Sequence, residues 1–426
     1  MPARSRRIDR ELFGETMQRT LPFLLLALVP VLGFTQTRPA VATEAARALA
    51  QDAVIVDTHI DAPGMLTDRW MDLGVDAPGR EFDYPKARAG GLDVAFMSIY
   101  TSPKQDEDGV AWQVANTMID SVEALVQRHP DRFALLRSPG DVDRLRAGNR
   151  VLLPLGMENG APIGDDLANL QLFFDRGVRY ITLAHSAANR IADSSYAIER
   201  KWNGLSTFGR EVVAEMNRLG IMVDVSHVSD EAAREAIAIS TVPVIASHSA
   251  FRHFTPGFER NISDELAKAI AAKGGVVQIP FGTAFVDPIG ATNTQGYFRA
   301  VNAFNLRNAE LRAAGKPELD RVKFGEDWSA AHPAPRTPLQ AVLDQIDYAV
   351  QLIGIDHVGI GSDFDGVDGE LADGLRSVAD FPNLVTALQA RGYTDPDIRR
   401  ILGGNLLRTW AAIEAGAQLP TAQPKK

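Results

Sequence analysis

The sequence predicts an α/β fold, a closed (β/α)8 barrel of the TIM type, on three observations. Eight short aliphatic or β-branched runs recur along the chain, helical patterns separate most of them, and metal-capable side chains gather where the runs end. The runs, read as strands, are Ala53 to Asp57, Asp93 to Tyr100, Val151 to Met157, Arg179 to Leu183, Ile221 to Val225, Pro243 to Ala246, Gly275 to Ile279 and His357 to Gly361. Several are apolar on both faces, as a parallel sheet covered by helices requires. No glycine-rich dinucleotide fingerprint follows the first run, which disfavours an open doubly wound sheet.

The helices expected between them are Val110 to Gln127, Asp165 to Arg176, Phe208 to Leu219, Asp230 to Ile239, Asp264 to Lys273 and Pro338 to Ile353. Ser229-Asp230 and Ser263-Asp264 read as helix starts, and Gly220 and Gly274 as stops. Asn383 to Arg391 and Asp395 to Leu402 supply closing helices. Residues 283–336 interrupt the pattern between strand seven and its helix. An insertion of that length in a compact domain points to a functional lid, and Tyr297 to Ala314 within it reads as helical.

The chain of 426 residues carries a net charge of −10. Its first 42 residues hold six arginines against Asp9, Glu11 and Glu15, so the remainder stands near −13. An acidic body of this kind offers no electrostatic footprint for nucleic acid or anionic lipid. Leu21 to Phe34 is one uncharged apolar run, preceded by arginines and followed by Ala40-Val41-Ala42, a small-x-small cleavage pattern. Residues 1–42 are therefore expected to be a signal peptide on an exported chain, periplasmic or secreted, with residues 43–426 as a single domain. The run falls short of the about 20 apolar residues that span a bilayer, and a poorly ordered apolar arm is the alternative. Met17 is a second candidate start. There is no cysteine, which excludes a disulfide framework, a lipoprotein anchor and a thiolate zinc site, so any metal must be held by histidine and carboxylate.

Four of the eight histidines fall at predicted strand ends, the face on which barrel enzymes place their active sites. His59 and Asp61, two apart on an extended strand, project to the same side and can reach one cation; taken alone they could equally be a turn-stabilising pair. Glu158 ends a very apolar strand, where a carboxylate is costly unless paired or metal-bound. His227 and His248 lie one βα unit apart and reach adjacent positions on the rim. Asp363 is the candidate proton shuttle, with Asp365 as the alternative. His185 is suited to polarising a carbonyl oxygen, and Arg252 or Arg260 to pairing with a substrate carboxylate.

In order, these segments resemble the membrane dipeptidase (renal dipeptidase) family, within the binuclear metal-dependent amidohydrolase type of barrel. The resemblance runs from about Asp52 to Ala411. It rests on Asp57-Thr58-His59-Ile60-Asp61, Glu158-Asn159-Gly160, Gly177-Val178-Arg179-Tyr180 with His185, Gly204-Leu205-Ser206, Asp224-Val225-Ser226-His227, Ser247-His248-Ser249, Arg260-Asn261 and Gly361-Ser362-Asp363-Phe364-Asp365-Gly366. It implies two zinc ions, one held by His59, Asp61 and Glu158 and the other by Glu158, His227 and His248, with Glu158 bridging. It further implies that His185 contacts the substrate carbonyl, Arg260 its terminal carboxylate, and Asp363 the proton. The expected activity is hydrolysis of a dipeptide by a hydroxide shared between the metals, with a homodimer as the family habit. Animal members carry cysteines and a C-terminal lipid-anchor signal; this chain has neither, so a soluble, unanchored enzyme is expected. A lactonase or phosphoesterase on the same barrel, or a barrel that only binds a small ligand, are the rival readings.

Overall fold

A computed structural model describes residues 42–418. The expected leader lies, but for Ala42, outside the described residues. Ten strands form one parallel sheet. They are β1 (Ile55–Ile60), β2 (Leu92–Tyr100), β3 (Phe133–Leu135), β4 (Val151–Leu153), β5 (Leu155–Glu158), β6 (Val178–Thr182), β7 (Met222–Asp224), β8 (Ile245–Ala246), β9 (Val276–Ile279) and β10 (Val358–Ile360). Eight run in the order β1-β2-β5-β6-β7-β8-β9-β10. The ring closes where Ile60 bridges Phe364 in parallel sense. There Asp61 N–H donates to Phe364 O at 2.8 Å and Asp363 N–H to His59 O at 3.1 Å. Closure removes both sheet edges and brings the first and last strand ends, with their acidic and histidine side chains, into contact.

Strand faces alternate as the pleat demands. Ala95, Met97 and Ile99 of β2 belong to the large core between strands and helices. Val94 and Phe96 belong to a second core with Val56, Tyr180, Met222, Ile245 and Val276, gathered around Trp410 of helix Asn405–Ala415. The outer helices Thr207–Leu219, Asp230–Ile239 and Asp264–Ala272 each begin at a serine, Ser206, Ser229 or Ser263, whose hydroxyl accepts a backbone N–H of the first turn.

The third predicted strand, Val151 to Met157, is two pieces. Pro154 has no N–H to give the ladder, and the first piece, β4, pairs outside the barrel with β3, a three-residue strand the sequence pattern did not show. The insertion forms three helices, Thr283–Val286, Pro288–Ala313 and Arg321–Ala331. The middle one begins nine residues before the expected Tyr297, where Asp287 caps it by accepting from Ile289 N–H and Gly290 N–H, and Pro288 occupies the first turn. The last helix, Asn405–Ala415, was not foreseen either.

Candidate metal centre

All the predicted ligands lie at the carboxyl ends of barrel strands and point to one centre. His59 is in β1 and Asp61 directly after it, Glu158 ends β5, and His185, His227, His248 and Asp363 follow β6, β7, β8 and β10. Glu158 faces two groups at once. Its Oε2 lies 3.4 Å from His59 Nε2, which in turn is 3.4 Å from Asp61 Oδ2 and 3.9 Å from Asp363 Oδ1. Its Oε1 lies 3.1 Å from His227 Nε2, 3.4 Å from His248 Nε2 and 3.2 Å from His185 Nε2. Three overlapping sets therefore have ligand atoms within 4.8 Å of one another: His59, Glu158 and His248; Glu158, His185 and His227; and His59, Asp61 and Asp363.

These residues fit divalent cations on the arrangement of their own atoms. The buried His59 Nε2 has no hydrogen-bond partner. His227 Nε2 and His248 Nε2 face each other at 2.7 Å, an arrangement of two ring nitrogens that a shared cation between them and Glu158 would satisfy. The far sides of the His59 and His248 rings are held. His59 Nδ1 is 2.8 Å from the Tyr180 hydroxyl. His248 Nδ1 is 2.8 Å from Ser247 Oγ, whose hydroxyl donates to Asp224 Oδ2 at 2.6 Å. With that hydroxyl proton engaged, Ser247 can only accept from His248 Nδ1–H, which leaves the Nε2 lone pair free for a metal. The backbones of His227 (φ 67°) and Asp363 (φ 68°) are left-handed, a strain that persists where the surroundings dictate where the side chain goes.

Tyr180 reaches His59 across Gly156, where a Cβ would lie 2.0 Å from the tyrosine ring. A Tyr180→Phe variant should fold normally and lose about 10- to 100-fold in metal affinity, read by titration against a competing chelator. Unchanged affinity would show that the hydroxyl does not orient the imidazole.

Burial and mutual attraction set the protonation of the cluster. Burial favours neutral His59, but Tyr180, Glu158 and Asp61 outweigh it and hold the imidazole well above its ordinary value. Burial would raise Glu158, yet His59 and His185 hold it well below the usual carboxylate range. Burial, then Asp61, holds Asp363 well above that range. Burial keeps His227 and His248 well below theirs, with Arg260 adding to it at both. Three carboxylates are thus packed among four imidazoles, a donor set of the hard-to-borderline kind that suits zinc.

Around this cluster lies a cavity of about 820 Å3, to which the insertion contributes Tyr297, Phe298 and Trp328. Phe298 stacks on Tyr196 at 3.8 Å between ring centroids. The two open choices from the sequence separate here. Arg252 is engaged bidentately by Asp230, at 2.6 and 2.7 Å. Arg260 is 2% exposed, donates to Ser249 Oγ and His248 O, and pairs with no carboxylate among the described residues. Asp365 turns away from the cluster and accepts from Glu81 N–H at 2.9 Å and Phe82 N–H at 3.3 Å, whereas Asp363 stays beside His59 and Asp61. His185 stands against Glu158 with its ring on His227, at 3.9 Å between centroids. Tyr180, Asp224 and Ser247 sit inside the motifs above, and Gly156 inside the third predicted strand, without an assigned role; only the cross-strand contacts reveal one.

A closed parallel barrel with a carboxylate-centred histidine cluster at the carboxyl ends of its strands defines a metal-dependent hydrolase. The chain belongs to the membrane dipeptidase family (peptidase family M19), whose profile matches residues 43–423. It is 31% identical over 341 residues to dipeptidase aclJ of Aspergillus oryzae, covering 78% of this chain and 70% of that protein. It is 28% identical over 380 residues to dipeptidase 3 of Mus musculus, covering 87% and 66%. In structure it is similar to the probable dipeptidase PvdM of Pseudomonas aeruginosa, with a TM-score of 0.73, 28% identity and coverage of 88% and 98%.

Proposed function

We propose that this protein is an exported, zinc-dependent dipeptidase that hydrolyses the peptide bond of small dipeptides. The observation that carries the reading is Glu158, which presents one oxygen to the His59 side and the other to the His227 and His248 side of a single cluster. His59, Asp61 and Glu158 would hold one zinc and Glu158, His227 and His248 the other, with Asp363 close enough to the first to join it. When bound, two such cations supply Lewis acidity and a nucleophilic water at neutral pH.

The chain's own groups do the rest. His185, at the cavity wall beside Glu158, donates to the oxygen that gains charge as the carbonyl is attacked. Asp363 takes up the proton of the attacking water and returns it to the departing amine, the harder half of amide cleavage. Arg260 supports a peptide over an ester or lactone: a buried guanidinium without a carboxylate partner is matched by the free carboxylate of a dipeptide, which accepts in a planar, bidentate fashion. The arginine-rich start and apolar run of residues 1–42 support export.

Purified protein should release amino acids from a dipeptide panel, lose that activity with a chelator and regain it with zinc, at about two zinc per chain. Turnover confined to aryl phosphoesters or lactones would remove the dipeptidase reading. A metal-free protein without chelator-sensitive activity would leave only a ligand-binding barrel.

A further inference from the structure

The catalytic cavity has a neighbour. A second cavity of about 410 Å3 lies between helix Ala62–Asp68 and helix Ala111–Arg128. The two share Gly64, Asp68 and Tyr100 as lining. We infer that this annex receives the side chain of the substrate's N-terminal residue and selects long, non-acidic side chains there. The inference rests on the dipeptidase reading above.

Direction comes from the barrel order. The annex opens beside the ends of β1 and β2, while Arg260 follows β8, on the opposite side of the ring. A dipeptide whose carboxylate meets Arg260 and whose carbonyl lies at Glu158 and His185 must point its first residue toward Tyr100 and Gly64. Tyr100 marks this wall: its ring meets that of His185 edge-on at 4.7 Å between centroids, so the annex begins one ring away from the scissile carbonyl.

Chemistry of the lining gives the selection. Thr67 Oγ1 donates to Gly64 O at 2.8 Å and Thr117 Oγ1 to Gln113 O at 3.0 Å. With both hydroxyls engaged by their own helices, these threonines add little polarity, and the rest of the space is bounded by Val114, Met118, the Tyr100 ring, Ser102 and the amides of Gln105 and Gln113. Its one carboxylate is Asp68, and no lysine or arginine lines the annex among the described residues. A glutamate side chain placed there meets Asp68 without any cation, whereas glutamine of the same shape, or methionine, fills the same volume freely.

Gly64 provides the means to close the passage. A Cβ at this position meets nothing within 4 Å, so a larger side chain extends into the space shared by the two cavities without displacing backbone. Thr117 offers the same from the opposite helix, at an exposed position.

The test uses zinc-loaded full-length enzyme and four substrates, Gly-Gly, Met-Gly, Gln-Gly and Glu-Gly. For the wild type, kcat/KM for Met-Gly and Gln-Gly should exceed those for Gly-Gly and Glu-Gly by about tenfold or more, the scale on which a filled apolar subsite discriminates. In Gly64→Leu, and separately in Thr117→Trp, the Met-Gly to Gly-Gly ratio should fall about tenfold at equal metal content. Equal cleavage of Gln-Gly and Glu-Gly by the wild type, or a ratio unmoved in both variants while the wild type cleaves dipeptides, overturns the annex alone. Failure of the wild type to cleave any of the four overturns the dipeptidase reading and the annex with it.

Discussion

Glu158→Gln should remove at least one of the two metals and most of the activity together, with kcat/KM falling by about 1,000-fold or more, the several kcal/mol that metal activation contributes to the barrier. The substitution keeps the shape and removes the charge, and it turns one of two facing oxygens into an amide nitrogen that cannot ligate. Either orientation of the new amide disables one side of the cluster: Oε2 serves His59 and accepts from Ser98 Oγ at 3.2 Å, while Oε1 serves His227, His248 and His185. Metal analysis after gel filtration and initial rates on one good dipeptide measure both effects. A variant that retains two metals and full turnover would show that Glu158 does not bridge.

Asp363→Asn separates proton handling from ligation. Turnover should fall by about 100- to 10,000-fold, the range for a lost general acid-base group. Asparagine retains one oxygen beside His59 and Asp61, so much of the metal should remain, with the weaker-held fraction on the His59 side. Normal activity would move the proton role elsewhere. Asp365 is a poor heir, because its carboxylate accepts from the Glu81 and Phe82 amides and sits away from the cluster.

Much of this was legible in the residues themselves. Helix Asp230–Ile239 starts and ends where Ser229-Asp230 and its apolar stripe indicate, because the cap and the stripe are both local. The insertion shows the opposite. Helix Arg321–Ala331 buries no side chain, and helix Pro288–Ala313 buries only Gly290, Ala291, Phe304 and Asn308. An element that roofs a cavity instead of packing on a core leaves no amphipathic stripe to read, so no apolar period follows the Asp287-Pro288 start to mark it. β3 is three residues long, too short for any period to show.

The site divides along the same line. Which residues gather at the cluster was determined by the sequence alone, since a charged or imidazole side chain at the end of an apolar run is costly without a partner, and that cost is visible at each strand separately. Which oxygen of Glu158 meets which histidine, that Arg252 is taken by Asp230 while Arg260 has no carboxylate partner among the described residues, and that Tyr180 passes over Gly156 to reach His59, were decided by the tertiary structure. These depend on the register between strands that lie 20 to 100 residues apart or more, and register is set by closure of the whole ring rather than by any segment within it.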